Sequence, residues 1–222
     1  MKEKFLKYYN QLAPTYDENR FENSYGKYID AQERYFLNKF FSKNNRTNIL
    51  DLGCGTGRLL NFATHGLDFS AEMLKVAKEK FADKNLKVGE ISSFDFDVKF
   101  DCIFCFHVIM HQTKEETGLF LKECSRNLTK NGFLIFDYPT KSRSKKENGE
   151  NNWHAKNTFS EVEIFNLVEN DWKIIEKKGV LLFPIHQISK KLRILFLPLD
   201  ILLCKTFFKK WASYNIVVLQ RK

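Results

Sequence analysis

The segment ILDLGCGTGRLLNFATHGLDFS, residues 49–70, constrains the fold more than any other part of this chain. It begins as an apolar run typical of a buried strand and then carries Gly53, Gly55 and Gly57. Glycines at alternate positions allow a sharp turn and let the backbone approach a ligand without interference from a Cβ atom. A second apolar run ends at Asp68. The segment therefore predicts two strands joined by a ligand-binding turn.

The rest of the chain alternates between strand-like and helix-like stretches. Such alternation predicts an α/β fold, in which right-handed crossovers place helices on both faces of a mainly parallel sheet. The predicted strands are NILDLG, HGLDF, LKVGEI, FDCIFCFHVIM, GFLIFDYP, WKIIEKKGVLLFPI and SYNIVVLQRK. The predicted helices are residues 5–43 with an interruption at Pro14, the short GRLLNF, residues 70–81, residues 114–128, FSEVEIFNLVEN, and residues 189–210 broken at Pro198.

The composition limits the class of protein. With 222 residues, 43% of them hydrophobic, the chain can bury the core of one domain. Its net charge of +9 suits an anionic partner, but the lysines are scattered rather than gathered into a stripe, which disfavours nucleic acid. Five cysteines form no disulfide-like framework, and Cys102 and Cys105 are expected to be buried strand thiols. The polar N-terminal segment lacks a secretory signal pattern, so we expect a cytoplasmic protein.

Two common glycine loops do not match this one. The dinucleotide fingerprint G-x-G-x-x-G requires a third glycine where this chain has Arg58. No lysine followed by serine or threonine closes the loop, as a P-loop would require. The D-x-G-x-G-x-G pattern of LDLGCGTGRLL instead resembles the first motif of class I S-adenosylmethionine-dependent methyltransferases, and the chain is similar to their small-molecule, ubiquinone-biosynthesis-like branch.

This resemblance implies a fold and a cofactor. The expected fold is Rossmann-like, with a seven-stranded, mostly parallel sheet whose last strand is antiparallel, helices on both faces and a helical N-terminal cap. The expected cofactor is S-adenosylmethionine, with S-adenosylhomocysteine as product. A single methyltransferase domain is expected over 1–222, with the cap at 1–44, the cofactor-binding core at 45–140, and a lid loop, late helices and the last two strands at 141–222.

The resemblance also assigns roles to residues. GLDFSAEML is similar to the second motif of the family, which implies that Asp68 accepts hydrogen bonds from both ribose hydroxyls. Glu90 stands where the family usually has an aspartate near the adenine, and Tyr16 and Arg20 are expected to lie over the cofactor. The implied cofactor-binding residues are Tyr16, Arg20, Asp51, Gly53, Cys54, Gly55, Gly57, Asp68, Phe69, Met73, Glu90, Ile91 and Phe106.

One departure from comparable folds concerns length. Asp51 and Asp68 are separated by fewer than the about 20 residues usual for the acidic partner in nucleotide-binding βαβ units. The first helix is therefore expected to be clipped to about two turns.

Methyl transfer requires an acceptor atom aligned with the methyl group, and it requires a base only when the acceptor begins protonated. A metal is not needed. Candidate bases must lie at the carboxyl ends of the strands, where open α/β sheets bind ligands. His107 and His111 follow the fourth predicted strand, and His154 lies in the polar loop 140–157. These three are the candidates because imidazole titrates near neutral pH.

The sequence disfavours DNA as the acceptor. The place after the fourth strand reads CFHVIMH rather than the Asp/Asn-Pro-Pro-aromatic sequence of amino-methylating DNA enzymes, and the chain has no Pro-Cys pair for cytosine C5 chemistry. We expect methylation of an oxygen or nitrogen atom of a small molecule, including hydrophobic or lipid-linked ones. Two alternatives stay open, which are an RNA (tRNA) methyltransferase and a non-catalytic S-adenosylmethionine-binding module.

The segment SKKLRILFLPLDILLCKTFFKK, residues 189–210, is apolar with basic flanks. Pro198, Asp200 and an apolar length below about 20 residues disfavour a membrane span. The segment is expected to be a helical insertion packed between the last two strands. The alternative is a peripheral membrane contact, or a wall of the acceptor pocket.

Overall fold

The computed structural model describes residues 2–144 and 157–222. Its strands are β1 (Ile49–Leu52), β2 (His65–Asp68), β3 (Asn85–Val88), β4 (Phe100–Cys105), β5 (Leu128–Pro139), β6 (Trp172–Val180) and β7 (Tyr214–Arg221). They form one sheet in the order β3-β2-β1-β4-β5-β7-β6. Neighbouring strands are parallel, except that β7 is antiparallel to both β5 and β6. The predicted seven-stranded, mostly parallel sheet is confirmed.

Local capping signals explain where the helices begin. Asn23, Ser70, Thr113 and Ser160 each accept a backbone N–H from the first turn that follows. In two cases a glutamate three residues later completes a capping box. The helices are α1 (Lys2–Leu12), α2 (Ser24–Lys43), α3 (Ala71–Lys80), α4 (Lys114–Asn127), α5 (Lys141–Ser144), α6 (Glu161–Val168) and α7 (Arg193–Leu203).

The helices cover both faces of the sheet. On one face α2 buries Phe36 and Leu37 against the sheet, and Leu197 of α7 packs against the same cluster. On the other face α4 and α6 bury Phe120 and Ile164. Both faces of the central strands are therefore dry, which is why their sequences read as continuous apolar runs.

Two predicted helices differ in the structure. The short helix after the glycine loop is a single 3₁₀ turn, Leu60–Phe62, because only six residues separate Gly57 from Thr64 and the loop itself uses part of them. The expectation of two α-helical turns was wrong. Helix α7 also runs through Pro198 instead of breaking there. Pro198 lies on the exposed side, where water can satisfy the carbonyl group that loses its internal donor.

Topology fixes where a ligand can bind. Strand β1 lies between β2 and β4, so the direction of chain progression reverses beside β1. Open α/β sheets bind ligands outside the carboxyl ends of the strands at such a switch point. Within residues 2–144 and 157–222, no helix is both long enough and apolar enough to cross a lipid bilayer.

Candidate functional site

A cavity of about 670 Å³ opens at this switch point, between α1 and the carboxyl ends of β1, β2 and β4. The volume falls within the range of small-molecule sites, about 300–1,000 Å³. Its lining is mostly apolar, with a few polar groups. The residues that line it include Phe5, Leu6, Tyr9, Tyr16, Gly53, Gly55, Asp68, Phe69, Met73, Glu90, Ile91, Phe106, His107, Val108, Met110 and His111.

The glycine loop brings bare backbone to the cavity. Gly53, Gly55 and Gly57 have φ angles of +81°, +52° and +87°, a region that other residues rarely adopt. A Cβ atom on Gly53 would lie 2.5 Å from Cγ2 of Val108, whereas one on Gly55 would project into open space. Gly53 and Gly55 therefore present backbone to a ligand, and Gly57 packs inward.

Asp68 places a carboxylate next to this loop. Its Oδ2 accepts the Gly55 N–H at 2.8 Å and its Oδ1 accepts the Ser70 N–H at 2.9 Å. Burial raises the pKa of Asp68 to about 6, although these N–H groups act in the opposite direction. At neutral pH the group is ionised. Because each carboxylate oxygen has more than one lone pair, both can accept a further O–H donor.

Arg58, which excluded the dinucleotide fingerprint, fixes the loop to α2. Its guanidinium pairs with Asp30 and Glu33, each at 2.7 Å, and lies 4.2 Å from the ring centroid of Phe21. The partners are about 25 residues upstream, so no local signal could have revealed them. The loop is consequently held by the N-terminal cap as well as by the sheet.

His107 lies at the end of β4 between two carboxylates. Its backbone φ angle is +61°, and its backbone N–H donates a hydrogen bond to Asp137 Oδ1 at 2.7 Å. Nε2 is 2.8 Å from Glu33 Oε1 and Nδ1 is 3.7 Å from Asp137 Oδ2. Burial alone would lower the pKa of His107, but the charges of Glu33 and Asp137 outweigh it and raise the pKa. The two carboxylates therefore favour the protonated form of His107.

His107, Glu33 and Asp137 form a cluster in which opposite charges shift the pKa values of their neighbours. Burial opposes ionisation of Glu33, but His107 and Arg58 lower its pKa to about 2. Burial raises the pKa of Asp137 to about 6 in spite of the His107 charge. Ligand atoms of Glu33, His107 and Asp137 come within 4.8 Å of one another, a spacing that could hold a metal ion. Glu33 already contacts both Arg58 and His107, and Asp137 contacts His107, so the cluster fits an ion-pair network better than a metal site.

His111 has a different environment. Its Nε2 lies 3.1 Å from the hydroxyl of Tyr9, and both residues line the cavity. Phe5 packs edge-on against the same imidazole, with ring centroids 5.2 Å apart. Tyr9 was not predicted as a site residue. The available signal was the i, i+4 spacing of Phe5 and Tyr9, which places both on one face of α1.

The other predicted residues divide into two groups. Tyr16, Phe69, Met73, Glu90, Ile91 and Phe106 line the cavity together with Asp68 and two of the glycines. Asp51 and Cys54 are buried behind the loop. Arg20 is exposed, does not itself line the cavity and donates to the Tyr8 hydroxyl at 2.7 Å. Its charge still acts on Tyr9 and Tyr16, which do line the cavity, and opposes the rise of their pKa values. His154 lies outside the described residues.

Known proteins resemble this chain over much of its length. A family model described as a methyltransferase domain matches residues 43–187. An uncharacterized protein of Methanocaldococcus jannaschii is 35% identical over 133 residues, which are 58% of this chain and 49% of that protein. A demethylmenaquinone methyltransferase of Thermotoga maritima is 30% identical over 142 residues, 59% of each chain. The chain thus spans about half to three fifths of these relatives.

The fold agrees with this relationship. The magnesium protoporphyrin IX methyltransferase of Synechocystis, solved with bound S-adenosylhomocysteine, superimposes with a TM-score of 0.70 over all of both chains at 16% identity. The family match covers more than half of this chain and includes the glycine loop, Asp68 and His111. The chain belongs to the methyltransferase-domain family.

Proposed function

We propose that this protein transfers a methyl group from S-adenosylmethionine to an oxygen or nitrogen atom of a small, largely apolar acceptor bound beneath α1. One observation carries the proposal. The cavity has a carboxylate and bare glycine backbone on one side, and an apolar wall with the Tyr9–His111 pair on the other. It can therefore hold a polar nucleoside and an apolar ring side by side.

The residues of the cavity fit the cofactor. The Asp68 carboxylate suits a ribose diol, because it can accept two further O–H donors at the cavity edge. The space beside Gly55, which a Cβ atom would fill, suits the amino-acid tail. Phe69, Met73 and Ile91 offer apolar surface for the adenine. When bound, the cofactor supplies an electrophilic methyl group on a sulfonium.

The acceptor class follows from the opposite wall. Phe5, Leu6, Val108 and Met110 present aliphatic and aromatic surface. The lining also contains Glu3 and Glu116, which are acidic and would repel a polyanion. Such a wall favours an apolar ring over a highly charged nucleic acid. The names of two similar proteins point the same way, since demethylmenaquinone and magnesium protoporphyrin IX are both ring compounds with large apolar surfaces.

The two histidines would then have different roles. His111 Nδ1 is buried, so the base would be Nε2, which can take a proton from an acceptor hydroxyl through the Tyr9 hydroxyl as that hydroxyl accepts one proton and passes on its own. His107 is a poorer candidate base because it lies between two carboxylates that favour its protonated form. Its positive charge instead holds the end of β4 against α2 and β5.

An acceptor screen tests the proposal. The protein is incubated with S-adenosylmethionine and one of three acceptor sets, which are hydroxylated aromatic rings including naphthohydroquinones, aromatic amines, and bulk tRNA. S-adenosylhomocysteine and the methylated product are measured by mass spectrometry. We expect turnover with ring compounds. Turnover with tRNA alone would favour the RNA methyltransferase, and cofactor binding without turnover on all three sets would favour a non-catalytic binding module.

A further inference from the structure

Helix α7 has its polarity reversed relative to an ordinary surface helix. Its acidic residue, Asp200, is fully buried, whereas Leu195, Ile194 and Leu202 are 69%, 60% and 59% exposed. A surface helix normally turns its apolar stripe inward and its charges outward. The exposed apolar side chains, called here the α7 face, are Leu192, Ile194, Leu195, Leu199 and Leu202, continued along the chain by Phe207 and Trp211.

Polar contacts fix this orientation. The Asp200 carboxylate accepts hydrogen bonds from the Tyr28 hydroxyl at 2.9 Å and from the Leu182 N–H at 3.1 Å, and the Cys204 Sγ lies 3.0 Å from it. Arg193, on the same side of the helix, donates to Ser24 Oγ at 2.8 Å. Rotating α7 to hide its leucines would expose or orphan these groups. The fold therefore holds the leucines outward.

The exposed charges on the segment that carries the α7 face are all positive. Residues 184–211 contain six lysines and arginines and one acidic residue, the buried Asp200. Lys190, Lys191, Lys205 and Lys210 are exposed at the two ends of the apolar stripe. A second copy of the same surface would bring like charges together, so self-association is disfavoured. An anionic surface with an apolar interior complements both features.

The α7 face also lies at the relevant end of the molecule. Strand β6 is parallel to β5, so Val180 ends at the same edge of the sheet as β1, β2 and β4. The connection that carries α7 leaves the sheet at this edge, where the cavity opens. We propose that the α7 face inserts into the interface of a membrane containing anionic lipids, with Phe207 and Trp211 at headgroup level and the flanking lysines on the lipid phosphates.

Vesicle binding of the intact protein tests this. Wild type is mixed at low salt with vesicles of phosphatidylcholine alone or with added phosphatidylglycerol, and the bound fraction is measured by sedimentation. We expect binding to the anionic vesicles that weakens as salt increases. Leu195→Gln with Leu202→Gln should weaken it about tenfold or more because two apolar side chains no longer enter the bilayer. Lys190→Gln with Lys191→Gln should weaken it about fivefold per lysine.

A matched control lies on the opposite face of the sheet. Leu119 of α4 and Val162 of α6 are 56% and 67% exposed, close to the values for Leu202 and Leu195. Leu119→Gln with Val162→Gln should bind vesicles like wild type, and circular dichroism shows whether each variant is folded. The proposal fails if wild type does not bind anionic vesicles, if it binds neutral vesicles equally, or if the control pair loses as much binding. It also fails if wild type is a dimer that Leu195→Gln with Leu202→Gln dissociates.

Discussion

Asp68 and Asp51 allow the cofactor site to be tested with a pair of similar substitutions. Both are buried aspartates beside the glycine loop, with Asp51 in β1 and Asp68 at the end of β2. Burial raises the pKa of Asp51 to about 8, with the Asp68 charge adding to it, so Asp51 is neutral at pH 7. Asp68, with a pKa of about 6, is ionised at that pH. Asparagine is therefore a close substitute for the neutral Asp51, whereas at position 68 it removes a negative charge.

The structure sets the size of the effect. Each Asp68 oxygen already accepts one backbone N–H, so Asp68→Asn leaves one N–H and one ribose hydroxyl without an acceptor, whichever way the amide turns. A hydrogen bond to a charged group contributes about 1.5–3 kcal/mol, which predicts roughly 10- to 150-fold weaker cofactor binding. The lost N–H partner should lower the free energy of unfolding by about 1–3 kcal/mol. Removing a buried charge whose pKa is raised to about 6 should offset this loss by about 3 kcal/mol at pH 7.5, so the net change in stability should be small.

Titration calorimetry with S-adenosylhomocysteine at pH 7.5 measures the first effect, and thermal unfolding without ligand measures the second. Asp51→Asn should bind the ligand within about threefold of wild type, because it replaces a neutral carboxylic acid of the same size. The reasoning is refuted if Asp68→Asn binds like wild type, or if Asp51→Asn loses as much affinity as Asp68→Asn.

Three further outcomes are expected. The folded pKa of Asp51, about 8, is above its unfolded value, so the contribution of Asp51 to stability falls as pH rises from about 4 to 8, by up to about 1.4 kcal/mol per pH unit. The melting temperature of Asp51→Asn relative to wild type should therefore increase over this range, and a constant difference would contradict the shift. Burial lowers the pKa of Lys178 from 10.5 to about 8, so Lys178→Met should stabilise the protein by about 2–3 kcal/mol at pH 7. This gain should shrink between pH 8 and 10.5, where the lysine is protonated only in the unfolded state. Denaturant titration at several pH values measures the change. His111→Asn should lower kcat for a hydroxyl acceptor about 100-fold and affect an unprotonated amine acceptor far less. Equal losses of kcat on both acceptors in this variant would contradict the base role of His111. His107→Asn should instead lower the melting temperature.

Local signals predicted the sheet and the glycine loop. Buried parallel strands appear as apolar runs, and positive φ angles favour glycine. Both features depend on neighbouring residues in the sequence and can therefore be predicted from it. The place of Asp68 beside the loop was implied by the resemblance of GLDFSAEML to the second motif of the family. The structure brings its Oδ2 within 2.8 Å of the Gly55 nitrogen, even though the intervening helix is reduced to a 3₁₀ turn.

The remaining features depend on distant partners. In the sequence, Arg58 only breaks the dinucleotide fingerprint. Its role is visible in the structure, where it pairs with Asp30 and Glu33 of α2. The charge state of His107 depends on Glu33 and Asp137, which are far from it in sequence. The outward leucines of α7 follow from buried Asp200, whose partner Tyr28 lies in α2. Periodicity identifies an amphipathic helix but does not determine which side the rest of the protein will cover.

A crystal structure with S-adenosylhomocysteine tests the cofactor site most directly. We predict that both ribose hydroxyls lie within hydrogen-bond distance of the Asp68 carboxylate, that the amino-acid tail lies against the backbone of Gly53 and Gly55, and that the apolar wall near His111 stays free for an acceptor. A ligand bound elsewhere, or bound in this cavity with its ribose turned away from Asp68, would contradict the account.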